Sequence, residues 1–262
     1  MREYDRVDAS FYDFYSLGLP GDVEFYVEAA RQAESDVLEL GCGTGRILIP
    51  MAEAGLPVVG LDRSDEMLAR ARKKIAGLPV KTRRRCKLVQ GDMRDFALRR
   101  QFKLIIIPYR AFLHLLTPAD QRQALLNIRE HLADDGRLII NIFDPRLDLI
   151  AAHAGPLGAA LKKEDEFIHP ETKRHVVVWD SRQYDPGEQT VDQLFIYEEL
   201  DDEGRSLTRV FSTYTLRYLY RQEMEYLLEL CGYRVDALYG DFQRGPFRYG
   251  GEQIWVAQKL PD

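Results

Sequence analysis

The chain is poor in the features that most directly announce a function. Of its 262 residues only three are cysteine, Cys42, Cys86 and Cys231, each far from the next. That spacing offers neither a disulfide framework nor a C-x-x-C zinc knuckle, and it suits a reducing cytoplasm. No H-E-x-x-H or comparable histidine spacing proposes a metal, so no metal site is expected. No apolar run approaches the roughly 20 residues needed to span a bilayer. The opening M-R-E-Y-D-R-V-D lacks the apolar centre of a signal peptide. Internal repeats and low-complexity tracts are absent. The formal net charge of −6 gives no basic footprint for nucleic acid. The expectation is a soluble, cytoplasmic protein with no membrane or nucleic-acid partner. A hydrophobic share of 45% supplies a full core.

What is present centres on residues 37–46, V-L-E-L-G-C-G-T-G-R. Val37, Leu38 and Leu40 predict a buried strand, which ends in Gly41, Gly43 and Gly45 at every second position. Ile47, Leu48 and Ile49 then open a helix to about Ala54. Glycines at such a junction let the backbone turn sharply and let a ligand lie against it. Nucleotide-type sites at the carboxyl ends of open α/β sheets are built this way. A second short strand, 57–62, closes on Asp62. This acid follows Gly45 at close to the roughly 20-residue spacing at which a carboxylate accepts hydrogen bonds from a ribose diol. The other reading of Asp62 is a strand-end cap, but Ser64 is the better cap for a helix over 65–74.

The pattern repeats along the chain. A third strand at 87–90 ends in Gly91-Asp92-Met93, a carboxylate acceptor beside a flat, polarisable side chain, which suits the edge and face of a purine. Residues 102–107 are the most apolar strand, central in the sheet and stopped by Pro108. Tyr109, Arg110 and His114 follow at its carboxyl end, where ligands bind in this architecture. Thr117 and Pro118 open a helix to about Leu132. Asp134-Asp135-Gly136 then turns into a fifth strand, 137–143. Five such β/α repeats predict a doubly wound, Rossmann-like parallel sheet with helices on both faces.

The remaining segments frame that sheet. Residues 1–35 are rich in aromatics, Tyr4, Phe11, Tyr12, Phe14 and Tyr15, and read either as a packing arm or as a ligand lid. Asp22 is expected to cap a helix over 23–31. Residues 146–172 read as irregular. Three β-rich runs follow at 174–184, 190–200 and 207–218, separated by Asp185-Pro186-Gly187 and Asp201-Asp202-Glu203-Gly204. Short turns between adjacent strands imply antiparallel pairing, so 146–218 is expected to be an inserted meander. A helix over 221–230 carries Met224, Leu227, Leu228 and Cys231 as a core stripe and stops at Gly232. Strands at 234–238 and 254–258 end the chain. The cationic run 70–87 holds no aromatic to stack a base and reads as a solvated face.

Taken together, Glu39-Leu40-Gly41-Cys42-Gly43-Thr44-Gly45, Gly60-Leu61-Asp62, Gly91-Asp92-Met93 and the strand ending at Asp144 resemble the class I S-adenosylmethionine-dependent methyltransferases. The resemblance implies a seven-stranded, mostly parallel sheet with its last strand antiparallel, over residues 1–145 and 219–262. It implies that the loop Gly41, Cys42, Gly43 and Gly45 meets the methionine part of the cofactor and that Asp62, with Arg63 beside it, holds the ribose. Met67, Asp92 and Met93 would lie at the adenine, and Glu39 at the amino group or a water. Tyr109 and Arg110 would border the methionine and the entering substrate, and Tyr15 or Tyr4 would close over the sulfonium. His114 is the candidate base, with a packed histidine as the alternative. S-adenosylmethionine is thus the implied cofactor, S-adenosylhomocysteine its product, and a small metabolite, capped by the inserted sheet, the acceptor of a methyl group on nitrogen or oxygen. A monomer or homodimer is expected. The Asn/Asp-Pro-Pro-Tyr text of nucleic-acid amino-methylating enzymes is missing; Ile107-Pro108-Tyr109-Arg110 stands there. A nicotinamide dehydrogenase would want G-x-G-x-x-G, whereas Gly45 falls one residue early. A protein or RNA acceptor, or a non-catalytic cofactor-binding role, are the other readings.

Overall fold

A computed structural model describes residues 6–15, 17–155 and 158–261, with residues 6–10 by backbone alone. In chain order the first elements are α1 (Arg6–Tyr15), α2 (Asp22–Ala33), β1 (Val37–Leu40), α3 (Leu48–Glu53), β2 (Val58–Asp62) and α4 (Asp65–Ala76). Next come α5 (Val80–Arg83), β3 (Cys86–Gln90), β4 (Phe102–Ile107), α6 (Pro118–His131), β5 (Leu132–Phe143) and α7 (Leu147–His153). Then follow β6 (Lys162–Ile168), β7 (His175–Asp185), β8 (Thr190–Leu200), β9 (Ser206–Arg217), α8 (Arg221–Leu230), β10 (Tyr233–Tyr239) and β11 (Glu252–Lys259). They divide into two compact units, Gly18–Pro145 with Tyr218–Asp262, and Met1–Leu17 with Arg146–Arg217.

The larger unit is a seven-stranded sheet in the order β10-β11-β5-β4-β1-β2-β3. Strands β3, β2, β1, β4 and β5 pair in parallel, and β11 runs antiparallel to both of its neighbours. Apolar runs such as Phe102–Ile107 suit strands covered on both faces. Successive side chains alternate between those faces. Val37, Leu104, Ile106, Ile139 and Ile254 form one cluster with Phe25, Tyr26 and Ala30 of α2, Leu48 and Met51 of α3 and Leu68 of α4. Leu38, Ile105, Ile140 and Trp255 alternate with them and are buried on the other face. There Tyr233 at the start of β10 donates its hydroxyl to Leu125 O on α6 at 2.8 Å. The stripe expected on α8 is real: Met224, Leu228 and Cys231 are buried, and Gly232 stops the helix with φ 79°.

The topology fixes where a ligand can sit. β1 lies between β2 and β4, so the sheet grows one way through β2 and β3 and the other way through β4 and β5. The connections leaving β1 and β4 therefore diverge, opening a crevice at their carboxyl ends.

The smaller unit is an antiparallel sheet in the order β6-β7-β8-β9. Asp185 Oδ1 accepts from the amides of Gly187 and Glu188, and Asp201 Oδ1 from those of Glu203 and Arg205, which closes the two turns read in the sequence. Phe11 of α1 joins Val176, Val178, Phe195 and Tyr197 in a core, its ring stacked on Tyr197 at 4.7 Å.

Four features depart from the sequence reading. The aromatic arm divides: α1 belongs with the antiparallel sheet, whereas α2 packs in the larger unit. Strand β6, K-K-E-D-E-F-I, falls in the stretch read as irregular; its charges hide it from an apolar count and suit an exposed edge. Strand β5 begins at Leu132, ahead of the expected 137. Asp22 is no helix cap. Gly21 holds that position with φ 82°, and the Asp22 carboxylate instead pairs with Arg46 at 2.7 Å.

Ile106 is fully buried in the central strand. Ile106→Ala should destabilise the larger unit by about 2–5 kcal/mol, the range for emptying a buried Ile site. A urea titration read by far-UV circular dichroism checks it.

Candidate active site

The crevice is lined first by the loop leaving β1. Gly41, Gly43 and Gly45 hold φ of 72°, 52° and 86°, the left-handed region. The amides of Gly41 and Cys42 both donate to Leu61 O, at 2.8 and 3.1 Å, which ties the loop to β2. A Cβ on Gly41 would lie 2.6 Å from the Cβ of Ala111, so two loops meet there at backbone distance. Cys42 turns its thiol into the core, 2.7 Å from where a Cβ on Gly60 would stand, and burial raises its pKa. Around Gly43 there is open space. Thr44, next along, is buried and its hydroxyl accepts from Lys74 Nζ at 3.0 Å, a task for one member of the cationic run that sequence reading missed.

Asp62, at the end of β2, joins this loop to the next helix. Its Oδ2 accepts from Gly43 N at 2.7 Å and its Oδ1 from Ser64 N at 2.9 Å. Ser64 caps α4 by accepting from Met67 N at 3.3 Å, as its position predicted. Burial raises the Asp62 pKa; the two amides and Arg63 oppose that. Each carboxylate oxygen keeps a lone pair for a further donor such as a hydroxyl. Met67 is buried on α4, its side chain part of the interior.

Asp92 is more committed than its sequence position suggested. Its Oδ1 accepts from Arg94 N and Nε at 2.9 and 3.0 Å, and its Oδ2 from Arg94 Nη2 at 2.7 Å. Arg94 reaches on to Asp120 at 2.7 Å, and Arg63 stands 3.9 Å from Asp92. The Arg94 hydrogen bonds hold the Asp92 carboxyl below the usual range. Met93 lies beside the glycine loop, its Cε 3.9 Å from where a Cβ on Gly41 would be.

The wall opposite is the segment after β4. Tyr109 and Arg110 are both left-handed, φ 49° and 68°, with no glycine to ease it. Such residues cost on the order of 1–3 kcal/mol each and cluster at functional sites. A 3₁₀ turn, Ala111–His114, follows. The Arg46 guanidinium lies 5.0 Å over the Tyr109 ring. Burial, helped by the positive charge of Arg63, pulls the His114 pKa from 6.5 to about 4, so its imidazole is neutral at physiological pH.

Beneath this wall a polar layer closes the α2-side core, and sequence reading found only one of its members. Glu39 lies two residues beyond Val37 on β1, Asn141 two beyond Ile139 on β5, and Glu252 two before Ile254 on β11, all on the same face. The Glu39 side chain is buried, its Oε2 has no hydrogen-bond partner among the described residues, and burial holds its carboxyl well above the usual range. Tyr26 of α2 is likewise buried with its hydroxyl unpartnered. The polar Asn141 inside L-I-I-N-I-F was the available signal; a glutamate opening a strand gives none. Tyr15 lies in the smaller unit, edge-on to Phe195 at 5.3 Å, and Tyr4 falls outside the described residues. Among the described residues no three His, Cys, Asp or Glu side chains gather as a metal site. No described helix is long and apolar enough to cross a membrane.

Comparisons with known proteins bear on the domain and the fold. Residues 37–136 match the family described as a methyltransferase domain. A Streptomyces venezuelae dTDP-3-amino-3,4,6-trideoxy-alpha-D-glucopyranose N,N-dimethyltransferase is 31% identical over 147 residues, which cover 53% of this chain and 58% of that enzyme. The CcbJ methyltransferase of Streptomyces caelestis superposes with a TM-score of 0.80 at 24% identity, over 97% of this chain and 96% of its own, a likeness of fold. The glycopeptide N-methyltransferase MtfA complexed with S-adenosylhomocysteine gives a TM-score of 0.62 at 26% identity, over 93% and 88% of the two chains.

The lowered pKa of His114 makes stability depend on pH. Below about pH 6.5 the unfolded chain binds a proton that the folded site refuses until about pH 4, so stability falls with acidification. Between pH 7.5 and 5 the loss should be about 2 kcal/mol. Urea unfolding of the parent and of His114→Gln at both pH values isolates it, with the shallower pH dependence expected in the variant.

Proposed function

Since this chain carries a methyltransferase domain on the class I fold, we propose that it transfers a methyl group from S-adenosylmethionine to a nitrogen or oxygen of a small metabolite, releasing S-adenosylhomocysteine. The observation that carries this reading is the Asp62 carboxylate bonded to Gly43 N at the open centre of the glycine loop. A carboxylate in that position is suited to accept from ribose hydroxyls, and the backbone beside it can be approached closely.

When bound, the sulfonium supplies an electrophilic methyl carbon. The work left to the chain is alignment, which can contribute ~7–11 kcal/mol. Gly41, Gly43 and Gly45 form the floor, and Glu39 Oε2 is the acceptor for the methionine ammonium, whose arrival would favour the ionised carboxyl. Met93 covers the adenine face. Because Arg94 fills most of the Asp92 carboxylate, Asp92 acts at the adenine edge chiefly by shaping its loop. Tyr109 and Arg110 border the acceptor's entry. A neutral His114 accepts a hydrogen bond from the acceptor and orients it; with a pKa near 4 it is a weak base toward an ammonium, so the amine should arrive deprotonated.

The named sugar N,N-dimethyltransferase relative favours an amine-bearing metabolite as acceptor. The setting we propose is a cytoplasmic monomer or homodimer, in keeping with its three free thiols. A protein or RNA acceptor rests on the cationic run, in which Arg83 and Arg84 are exposed while Arg85 donates to Ala52 O at 3.4 Å. Reversing Arg83 and Arg84 to Glu should leave turnover of amine metabolites, followed with methyl-labelled cofactor, unchanged.

Asp62→Ala should weaken S-adenosylhomocysteine binding by about 1–3 kcal/mol, the value of charge-assisted hydrogen bonds. Calorimetry measures it directly, and an unchanged affinity would remove this carboxylate from the donor site.

A further inference from the structure

The strained pair after β4 needs something to hold it, and the structure shows what does. Arg110 Nη2 donates to Glu252 Oε1 at 2.8 Å. Glu252 Oε2 accepts from Asn141 Nδ2 at 2.9 Å, and Asn141 O accepts from Arg110 N at 3.1 Å. Turn, β5 and β11 are thereby closed into one ring of contacts. The Arg110 guanidinium also lies 5.4 Å over the Phe143 ring, the residue opposite Glu252 in the β5–β11 register. The pair is sheltered, with Glu252 17% and Arg110 34% exposed, so its charges are only partly screened. Glu252 stands at the carboxyl edge because β11 is antiparallel and enters the sheet there.

The other side of the same turn presses on the glycine loop. Ala111 occupies the space a Cβ on Gly41 would take, and Tyr109 lies under the Arg46 guanidinium. The turn is therefore a wedge, held from behind by Glu252 and bearing in front on Gly41. We infer that Glu252 is a positioning residue for the donor site: through Arg110 it keeps Tyr109–Ala111 against the glycine loop and so sets the shape that S-adenosylmethionine meets. This rests on the donor-site reading of the glycine loop and adds to it a residue 142 positions from its partner Arg110.

A purely structural Glu252 would only fasten β11 to β5. The two roles separate in S-adenosylhomocysteine calorimetry combined with thermal unfolding of the ligand-free protein. Glu252→Ala should weaken S-adenosylhomocysteine about tenfold, and Arg110→Ala by a similar factor. The double variant should be no weaker than Arg110→Ala alone, because the two residues act as one unit. Glu252→Gln, which keeps an oxygen for Arg110 but drops the charge, should fall between parent and Glu252→Ala; it decides the matter alone if Glu252→Ala does not fold. A lowered unfolding temperature with affinity kept within about twofold, or losses that add in the double variant, would overturn the inference. Asp62→Ala run alongside tells the two failures apart. If Asp62→Ala weakens binding and the Glu252 variants do not, only the positioning role falls; if neither does, the donor-site reading falls with it.

Discussion

One carboxylate ties the site together. Asp62 accepts from Gly43 on one side and from Ser64 on the other, so one side chain links the loop after β1 to the start of the helix after β2. A carboxylate in that place would usually be read as either a cap or a ligand-binding group. Here the geometry allows both, because two amides leave each oxygen a lone pair. Burial makes the charge expensive and the amides make it tolerable. The glycine loop supplies the amide that Asp62 needs, and Asp62 supplies the restraint that a loop with three left-handed glycines lacks.

Much of this was legible in the sequence because it is local. The glycine spacing, the acid closing β2, the Ser64 cap, the hairpin turns at Asp185 and Asp201 and the α8 stripe each depend on residues a few positions apart. The parallel order followed from alternating strands and helices. What stayed hidden was non-local or masked by charge. Strand β6 opens with five charged side chains in a row, and its partner β7 makes it a strand. Asp22 looked like a cap because it precedes a helix, yet its carboxylate is claimed by Arg46, 24 residues on. No short-range pattern could report the Arg110–Glu252 pair, separated by 142 positions.

The polar layer under the turn shows how the same sheet serves stability and chemistry. Toward the amino ends of the strands the α2-side face is Val37, Leu104, Ile139 and neighbouring apolar residues. Two residues further along, the same face becomes Glu39 and Asn141, with Glu252 approaching from the opposite direction. Alternation delivers this change without altering the backbone. The apolar part stabilises; the polar part carries buried groups whose hydrogen bonding is incomplete within the described chain, as with Glu39 Oε2 and the Tyr26 hydroxyl. Orphaned acceptors and donors of that kind are costly in a finished core. Both lie on the face of the sheet that α2 covers, in line with the proposed donor site.

The antiparallel course of β11 also makes one part of the larger unit depend on a distant one. Residues 37–143 contain the glycine loop, the acids and the strained turn, and every parallel pairing of the sheet lies among them. Yet the carboxylate that the Arg110 guanidinium meets lies outside that span, on β11. Loss of β11 would thus leave every parallel pairing in place and remove the carboxylate on Arg110, so the set of the turn and the pairing of the strands can fail separately.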